Sequence, residues 1–407
     1  MINLAILGYG TVGTGLLDII AKNNVKNEED EGILITSILV KNIEKHTKKE
    51  FFSVVTDDIE YFFSKPIDVL VEVMGGVHPA YDYVKKAITS GKHVVTANKD
   101  LIAEHGKELL NLAKENKVTL NFEASVGGGI PILKPLIECL SGNEIFNIKA
   151  ILNGTTNFIL TKMFNENMSY AEALEIAQEL GFAELNPESD VMGYDAARKL
   201  AILSTIAYKQ LVNWSEINIE GIVDLEPIDF EYARRNNCCI KLVAMSNQCD
   251  EGIFACVKPM LVPVDSSLGK TENEFNAINI EGDYVGEVMF YGKGAGMSPT
   301  ASSVYGDLVD ILKNRKKSLE FSSKEGKVIK TLNTDAEYMF RINTEDTNAL
   351  VKYISKEFKD RSLQSLNCEG NYIVGFVKCE NELDIISRLS NISLLPYVKS
   401  TKQILKL

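Results

Sequence analysis

Histidine and tryptophan are scarce in this chain, four and one among 407 residues. His46, His78, His93 and His105 stand singly, with no pair at a metal-ligand spacing, so a zinc mechanism is disfavoured and a histidine acid is not the expected proton donor. The seven cysteines, Cys139, Cys238, Cys239, Cys249, Cys256, Cys368 and Cys379, are odd in number and nowhere form CxxC, the pattern of reduced thiols rather than of a disulfide framework or a zinc site. Excess positive charge is missing as well: a net charge of −13 leaves no basic face for a phosphate backbone, so nucleic acid is not an expected partner. No apolar run reaches the length of a membrane span, and Met1 to Leu7 lead straight into a glycine motif without a signal-peptide pattern. The expectation is a cytoplasmic protein that does not engage a membrane.

What is present is an ordinary globular composition, 45% hydrophobic and 24% charged, in a chain longer than one core usually supports, so two or three domains are expected. Asn3 to Leu7 reads as a buried strand and runs into Gly8-Tyr9-Gly10-Thr11-Val12-Gly13, with helical periodicity from Leu16 to Ile20. Strand, tight glycine turn and helix N-terminus form a pyrophosphate cradle; a plain glycine turn is the other reading. The next strand, Ile33 to Val40, is reached through the acidic loop Asn27 to Gly32 and closes on Lys41-Asn42, where an NAD site usually carries an acid for the ribose hydroxyl. A cation there suits a 2′-phosphate, a lean towards NADP, although a solvated lysine at a strand end also fits. Asp68 to Val73 and Val94 to Thr96 continue the alternation of strands and helices that makes a parallel sheet, whose ligands gather outside the strand C-termini. Gly75-Gly76 and Thr96 to Lys99 fall at such ends, which makes Thr96 and Lys99 candidates for the cofactor site. Val118 to Glu123 then leads into three glycines, Gly127 to Gly129, before Pro131, leaving backbone groups bare for a ligand or an ion.

Leu180 to Lys199 concentrates carboxylates, Glu184, Glu188, Asp190 and Asp195, ahead of a helix that is apolar on most faces. Asp195 and Lys199 stand four apart and so share a helix face, either as an exposed ion pair or at the mouth of a cleft. Asn153 to Asn157 reads as a polar connector between a strand and a helix, and Gly292 to Thr300 as a glycine-rich turn opening a helix, Ala301 to Leu312, that returns to the first domain.

Together these segments resemble homoserine dehydrogenase from residue 1 to about Leu312: Gly8 to Gly13, VVTANK (Val94 to Lys99), EASVGGGIP (Glu123 to Pro131), NGTTNF (Asn153 to Phe158), Gly181 to Glu184, DVMGYDAARK (Asp190 to Lys199) and Gly294-Ala295-Gly296. The resemblance implies reversible NAD(P)-dependent reduction of aspartate semialdehyde to homoserine, a step towards threonine and methionine. It implies roles residue by residue: Lys199 as proton donor with Asp195 orienting it, and Lys99, Glu184, Asp190 and Asp195 at the substrate. Gly8, Gly10, Thr11, Val12, Gly13, Lys41, Thr96, Lys99 and Gly294 fall at the cofactor. The backbone carbonyls of Glu123, Val126, Gly128 and Ile130 match a structural sodium site. One departure lies in the loop that is usually AExDP and reads AELNP here, with Asn186 in place of the aspartate.

Beyond the charged linker Asn314 to Gly326, segments alternate β, α, β, β, α, β to the end of the chain, the order of a ferredoxin-like module resembling an ACT domain. The acidic-Pro-Gly turn usual after its first strand is replaced by Asn343-Thr344-Glu345-Asp346-Thr347, so ordinary threonine sensing is expected to be lost. The expected fold is α/β: an N-terminal Rossmann-type parallel sheet (1–130), an α+β catalytic domain with an open sheet (131–300), a returning helix and linker (301–318), and a separately folded ACT-like module (319–407) that associates a homo-oligomer, dimer or tetramer. A non-catalytic NADP sensor, or another amino-acid or aldehyde reductase on the same scaffold, is the rival reading. Intact Lys99, Asp195 and Lys199 oppose the first, and the NGTTNF and DAARK segments oppose the second.

Overall fold

Six short strands form the first sheet, and they are apolar because helices cover both faces. The computed structural model describes residues 1–24, 32–313, 321, 324–331, 335–358, 362–379 and 382–407. The strands are β1 (Ile2–Leu7), β2 (Ile33–Leu39), β3 (Val55–Thr56), β4 (Val69–Glu72), β5 (His93–Thr96) and β6 (Leu120–Asn121), paired in parallel in the order β3-β2-β1-β4-β5-β6. Parallel pairing demands crossovers, which include the helices α1 (Thr11–Asn24), α2 (Ile59–Ser64), α3 (Ala80–Thr89) and α4 (Lys99–Glu115). Strand order reverses between β1 and β4, so a ligand crevice opens at their C-terminal ends. This is the expected Rossmann-like parallel sheet.

Contacts divide the chain into two compact units. The first comprises Met1–Ile148, Arg198–Glu216 and Ile278–Gly326, and the second Lys149–Ala197, Ile217–Ala277 and Lys327–Leu407. The core of the first unit packs Leu4, Ile6, Leu16, Leu17, Ile20, Val71 and Val95 against Ala301, Val304 and Leu308 of a later helix. Gly15 permits that approach, because a Cβ on it would lie 2.9 Å from the Met297 side chain and 3.1 Å from Ala301. The helix begins at Met297, four residues earlier than its apolar pattern suggests. Most of the linker read from Asn314, and residues 27–31 of the acidic loop, lie outside the described residues.

In chain order the remaining elements are β7 (Ile145–Ile151), α5 (Gly154–Glu166), α6 (Tyr170–Glu179), α7 (Glu188–Val191), α8 (Tyr194–Tyr208), β8 (Asn218–Ile219), α9 (Pro227–Arg235), β9 (Cys238–Cys249), β10 (Gly252–Pro263), β11 (Phe275–Gly282), β12 (Gly286–Lys293), α10 (Met297–Leu312), β13 (Val328–Ile329), β14 (Ala336–Thr344), α11 (Thr347–Glu357), β15 (Leu363–Glu369), β16 (Tyr372–Cys379), α12 (Glu382–Ser393) and β17 (Val398–Lys406). Within the second unit β9, β10, β17, β14, β16 and β15 are hydrogen-bonded in that order, with β8 and β13 also on β10. The sheet is mixed: β9 and β10 are antiparallel over twelve pairs, β17 joins β10 in parallel at Met260↔Leu405 and Leu261↔Lys406, and β14 runs antiparallel to both β17 and β16.

The tail has a hydrophobic cluster of its own, with Tyr338, Phe340, Ile342, Leu350 and Ile373 in it, and is also joined to the rest of the second unit. Residues 327–407 are grouped with 149–197 and 217–277. Beside the β10–β17 pairing, one of the contacts that join them is electrostatic. Arg341 on β14 is only 3% exposed; its Nε donates to Asp229 Oδ1 of α9 (2.8 Å), its Nη2 to the Asp224 carbonyl (2.8 Å), and its Nη1 to Glu226. Burial pushes the Asp229 carboxyl up, and the guanidinium opposes that shift. Each buried charge needs the other, because an unpaired one is strongly destabilising. Replacing Arg341 with alanine should lower stability by about 3–5 kcal/mol. The double variant Arg341→Met/Asp229→Leu should recover most of the loss in thermal or urea unfolding. A single variant that unfolds with the wild type would refute the pair's role.

Candidate active site

β1 delivers the chain into the glycine turn at positions where only glycine fits. Gly8 has φ +109°, and a Cβ on it would lie 2.9 Å from the Val73 carbonyl oxygen; one on Gly13 would lie 2.3 Å from the Gly8 carbonyl oxygen. Gly10 has open space instead, and Thr11 opens α1, so bare amides at a helix N-terminus face the crevice. Val12, on the first turn of α1, is half-buried. Lys41 is exposed just beyond β2. A second cation, missed by the sequence reading, bonds to the turn itself: Lys49 Nζ donates to the Tyr9 carbonyl (2.7 Å) and Thr14 Oγ1 (3.0 Å) and sits 3.8 Å from the Tyr9 ring centre. His46 stacks on the same ring.

Glu72, also missed, organises the neighbouring strand ends. It closes β4 fully buried. Its Oε1 accepts the Met74 amide (2.7 Å) and, more weakly, that of Gly75 (3.3 Å), while Oε2 accepts the Thr96 hydroxyl (2.5 Å). Thr96 in turn accepts the Asn98 amide (3.0 Å), and Asn98 Nδ2 donates to the Gly76 carbonyl (2.6 Å) while its Oδ1 caps α4 at Leu101 (3.1 Å). Thus the Thr96 hydroxyl serves the fold, and Lys99 is set as the first residue of α4. Burial pushes the Glu72 carboxyl up, against the lowering effect of these donors. The only sequence signal was an acid inside an otherwise apolar run, Val69 to Met74.

The triple-glycine loop is held by another buried carboxylate. Glu123 accepts the amides of Ile132 (2.6 Å), Leu133 (2.8 Å) and Lys134 (2.9 Å), and its own amide donates to Asp307 Oδ2 (2.8 Å). Lys134 Nζ bridges Asp307 (2.9 Å) and Asp310 (2.6 Å) of α10. A Cβ on Gly128, at φ +56°, would lie 2.3 Å from the Gly294 carbonyl oxygen, so Gly294 packs on this loop. Two residues beyond Pro131 a short helical stretch begins at Leu133 and takes π-type bonding over Pro135–Cys139.

In the second unit the segment read as a connector, Asn153 to Asn157, is the cap and first turn of α5. Asn153 Oδ1 accepts the Thr156 amide (2.8 Å), and its Nδ2 donates to Asp190 Oδ1 (2.7 Å) and Asp195 Oδ2 (2.9 Å). Asp195 is 4% exposed. Glu184 is exposed, and its backbone carbonyl accepts Gln178 Nε2 (3.0 Å). Asp195 and Lys199 both lie on α8, one turn apart. In the first unit Arg198 pairs with Asp100 (3.4 Å) and stacks on Trp214, which ties the residues adjacent to Lys199 and Lys99 together. Among the described residues no cluster of three or more His, Cys, Asp or Glu side chains can hold a metal, and no helix is long and apolar enough to cross a membrane.

A parallel sheet with a glycine cradle at its reversal point, followed by lysines and paired carboxylates on helix starts, defines the class of NAD(P)-dependent oxidoreductases. Family models narrow it. Residues 8–123 match the homoserine dehydrogenase NAD-binding domain, and residues 131–309 match homoserine dehydrogenase itself. A homoserine dehydrogenase of Bacillus subtilis is 38% identical over 424 aligned positions, covering 99% of this chain and 98% of that one, and one of Helicobacter pylori is 42% identical over 320, covering 78% and 75%. The crystal structure of a homoserine dehydrogenase from Thiobacillus denitrificans superposes with a TM-score of 0.91 at 32% identity, over 100% of this chain and 98% of that one. A hyperthermophilic archaeal homoserine dehydrogenase in complex with NADPH gives 0.66 at 30% identity, over 78% and 99%. The chain belongs to the homoserine dehydrogenase family, enzymes that interconvert L-homoserine and L-aspartate 4-semialdehyde with NAD(P).

The Asp307 cluster has a pH signature. Burial pushes the Asp307 carboxyl up to about 7, Lys134 opposing; in an unfolded chain it titrates at about 3.9. Between those values the folded protein holds a proton that the unfolded chain has released, so stability falls as pH rises through the window and is fully reduced above it. Asp307→Asn should flatten the fall in melting temperature between about pH 4 and 7; an unchanged slope would remove Asp307 as its source.

Proposed function

We propose that Lys199 is the proton donor to the aldehyde oxygen of the semialdehyde and that Asp195 orients it. The observation that carries this reading is the Asn153 amide, which holds Asp190 and Asp195 to one nitrogen. Two carboxylates so close repel one another unless a cation stands by, and both a lysine and the substrate ammonium are cations. Glu184, Asp190 and Asp195 receive that ammonium, and Lys99, at the start of α4, steadies the substrate beside the cofactor. A bound nicotinamide supplies the hydride in reduction. As hydride reaches the carbon, negative charge grows on oxygen, and a fixed ammonium there lowers the barrier.

The cofactor reading leans to NADP. Gly8, Gly10, Thr11, Val12 and Gly13 would hold the pyrophosphate, Thr96, Lys99 and Gly294 the nicotinamide end, and Lys41 the 2′-phosphate; Lys49 beside the turn adds favourable charge. A sodium ion on the carbonyls of Glu123, Val126, Gly128 and Ile130 fits a loop in which Val126 and Ile130 are buried. There the Gly128 carbonyl accepts the Ser303 hydroxyl (2.7 Å), and the Glu123 carbonyl accepts only a long 3.4 Å bond from Val126. The division into 1–130, 131–300, 301–318 and 319–407, an ACT-like character for the tail, and a dimeric or tetrameric assembly belong to the same proposal. The β-α-β-β-α-β order from β14 to β17 supports the tail reading.

Lys199→Ala should lower kcat for homoserine oxidation by about 10²–10⁴ with cofactor affinity retained, and the Asp195→Ala loss should not add to it. Near-native turnover of Lys199→Ala in a spectrophotometric assay would refute the donor role. Lys41→Glu should shift the ratio of kcat/KM for NADP over NAD towards NAD by about tenfold, one charge-assisted contact; an unchanged ratio would place Lys41 outside the pocket.

A further inference from the structure

A buried cation that the proposed chemistry does not use lies beside α5. Lys241 stands on β9 between buried Ile240 and Leu242 and is itself only 3% exposed. Its ammonium donates to Asn157 Oδ1 (3.1 Å) and to the Thr271 carbonyl (2.6 Å), and these are its partners among the described residues. Both acceptors are neutral. An ammonium has three donors, so one N–H is left over, and a buried charge without a counterion is costly.

Lys241 lines a cavity of 310 Å³ with Leu160, Thr161, Phe164, Lys270 and Glu272 among its walls. The other polar groups around the lysine are already committed. The Thr161 hydroxyl donates to the Asn157 carbonyl (2.7 Å) and accepts the Asn273 amide (3.1 Å). Asn157 Nδ2 donates to the carbonyls of Thr271 and Phe275 (both 3.1 Å). The Cys239 thiol points its hydrogen at backbone carbonyls of Val262 and Gly269, and burial pushes its pKa up, so it is no thiolate counterion. Burial pushes the Lys241 ammonium below its ordinary range, and Glu272 opposes that only through space. With Lys241 and Lys270 against Glu272, the lining charge is positive.

We propose that this cavity is a binding site for a small inorganic anion of halide size, held by the remaining N–H of Lys241. One free donor and an apolar wall from Leu160 and Phe164 suit a halide better than an oxyanion, which asks for several donors. The anion supplies the charge that Asn157 and Thr271 cannot. Asn157 lies one turn along α5 from Asn153, so the site underlies the helix that caps onto Asp190 and Asp195. It does not depend on the roles assigned to those residues.

Two measurements on the full chain test it without recourse to activity. Crystals grown in sodium bromide should show an anomalous peak at hydrogen-bonding distance from Lys241 Nζ. At fixed sodium concentration, replacing gluconate by chloride should raise the melting temperature saturably, by about 2 °C for a ligand at ten times its Kd. Lys241→Met, which keeps the length and removes the charge, should abolish both effects. If that variant does not fold, the wild-type anomalous map decides alone. No bromide peak at Lys241, with water or empty space there instead, would overturn the site, as would an equal chloride response in Lys241→Met.

Discussion

One primary amide carries more of this architecture than its size suggests. The oxygen of Asn153 caps α5 through Thr156, and its nitrogen reaches Asp190 at the end of α7 and Asp195 at the start of α8. Three helix termini are therefore fixed by a single side chain. Two carboxylates from different helices are thereby brought to one donor. Gly193 makes the geometry possible. At φ +85° it turns the chain between the two acids, and a Cβ there would lie 3.1 Å from Ile219 and 3.2 Å from Val257.

The first unit solves the complementary problem, how to keep bare backbone in place without a strand or helix to pair it. Glycine turns leave amides unpartnered, and two of them, Gly75-Gly76 and the loop Gly127 to Gly129, have a buried carboxylate beside them. Glu72 gathers Met74, Gly75 and Thr96, while Glu123 gathers three successive amides from Ile132 to Lys134. A carboxylate is the natural choice because its two oxygens accept several amides at once. Burial disfavours its charge, so the donors around it are what make the arrangement hold.

Much of this was legible in the chain, for a definite reason. β1, β4 and β5 are covered on both faces and read as apolar runs, and the glycine motif follows β1 where steric limits allow nothing else. Asn153 was misread as part of a connector because asparagine at a helix cap has the same local character as asparagine in a turn. Glu72 was hidden by its neighbours, and Lys49 by distance, since it meets Thr14 from 35 residues away. Arg341 and Asp229 are 112 residues apart, and no periodicity announces such a pair.

That long-range pair changes what the tail is. Its strand contact with β10 spans only two residue pairs, with the Leu407 amide adding a bond to the Leu261 carbonyl (2.9 Å), so backbone pairing alone is a narrow seam. The polar contacts widen it: Arg341 on Asp229 and Glu226, Lys402 on Glu220 (2.7 Å), and the Tyr372 hydroxyl on Glu226 (2.6 Å). All of them converge on residues 220–229. The same stretch is anchored on its other side, where the Ile222 amide donates to the Val191 carbonyl (2.9 Å) and Gly221 lies where any Cβ would come within 2.5 Å of that carbonyl oxygen. Val191 follows Asp190. The tail thus meets, through β14, β16 and β17, the loop that packs on the end of α7 beside Asp190. The turn Asn343 to Thr347 is not part of these contacts among the described residues, so the hold on that loop comes from the strands and not from the turn.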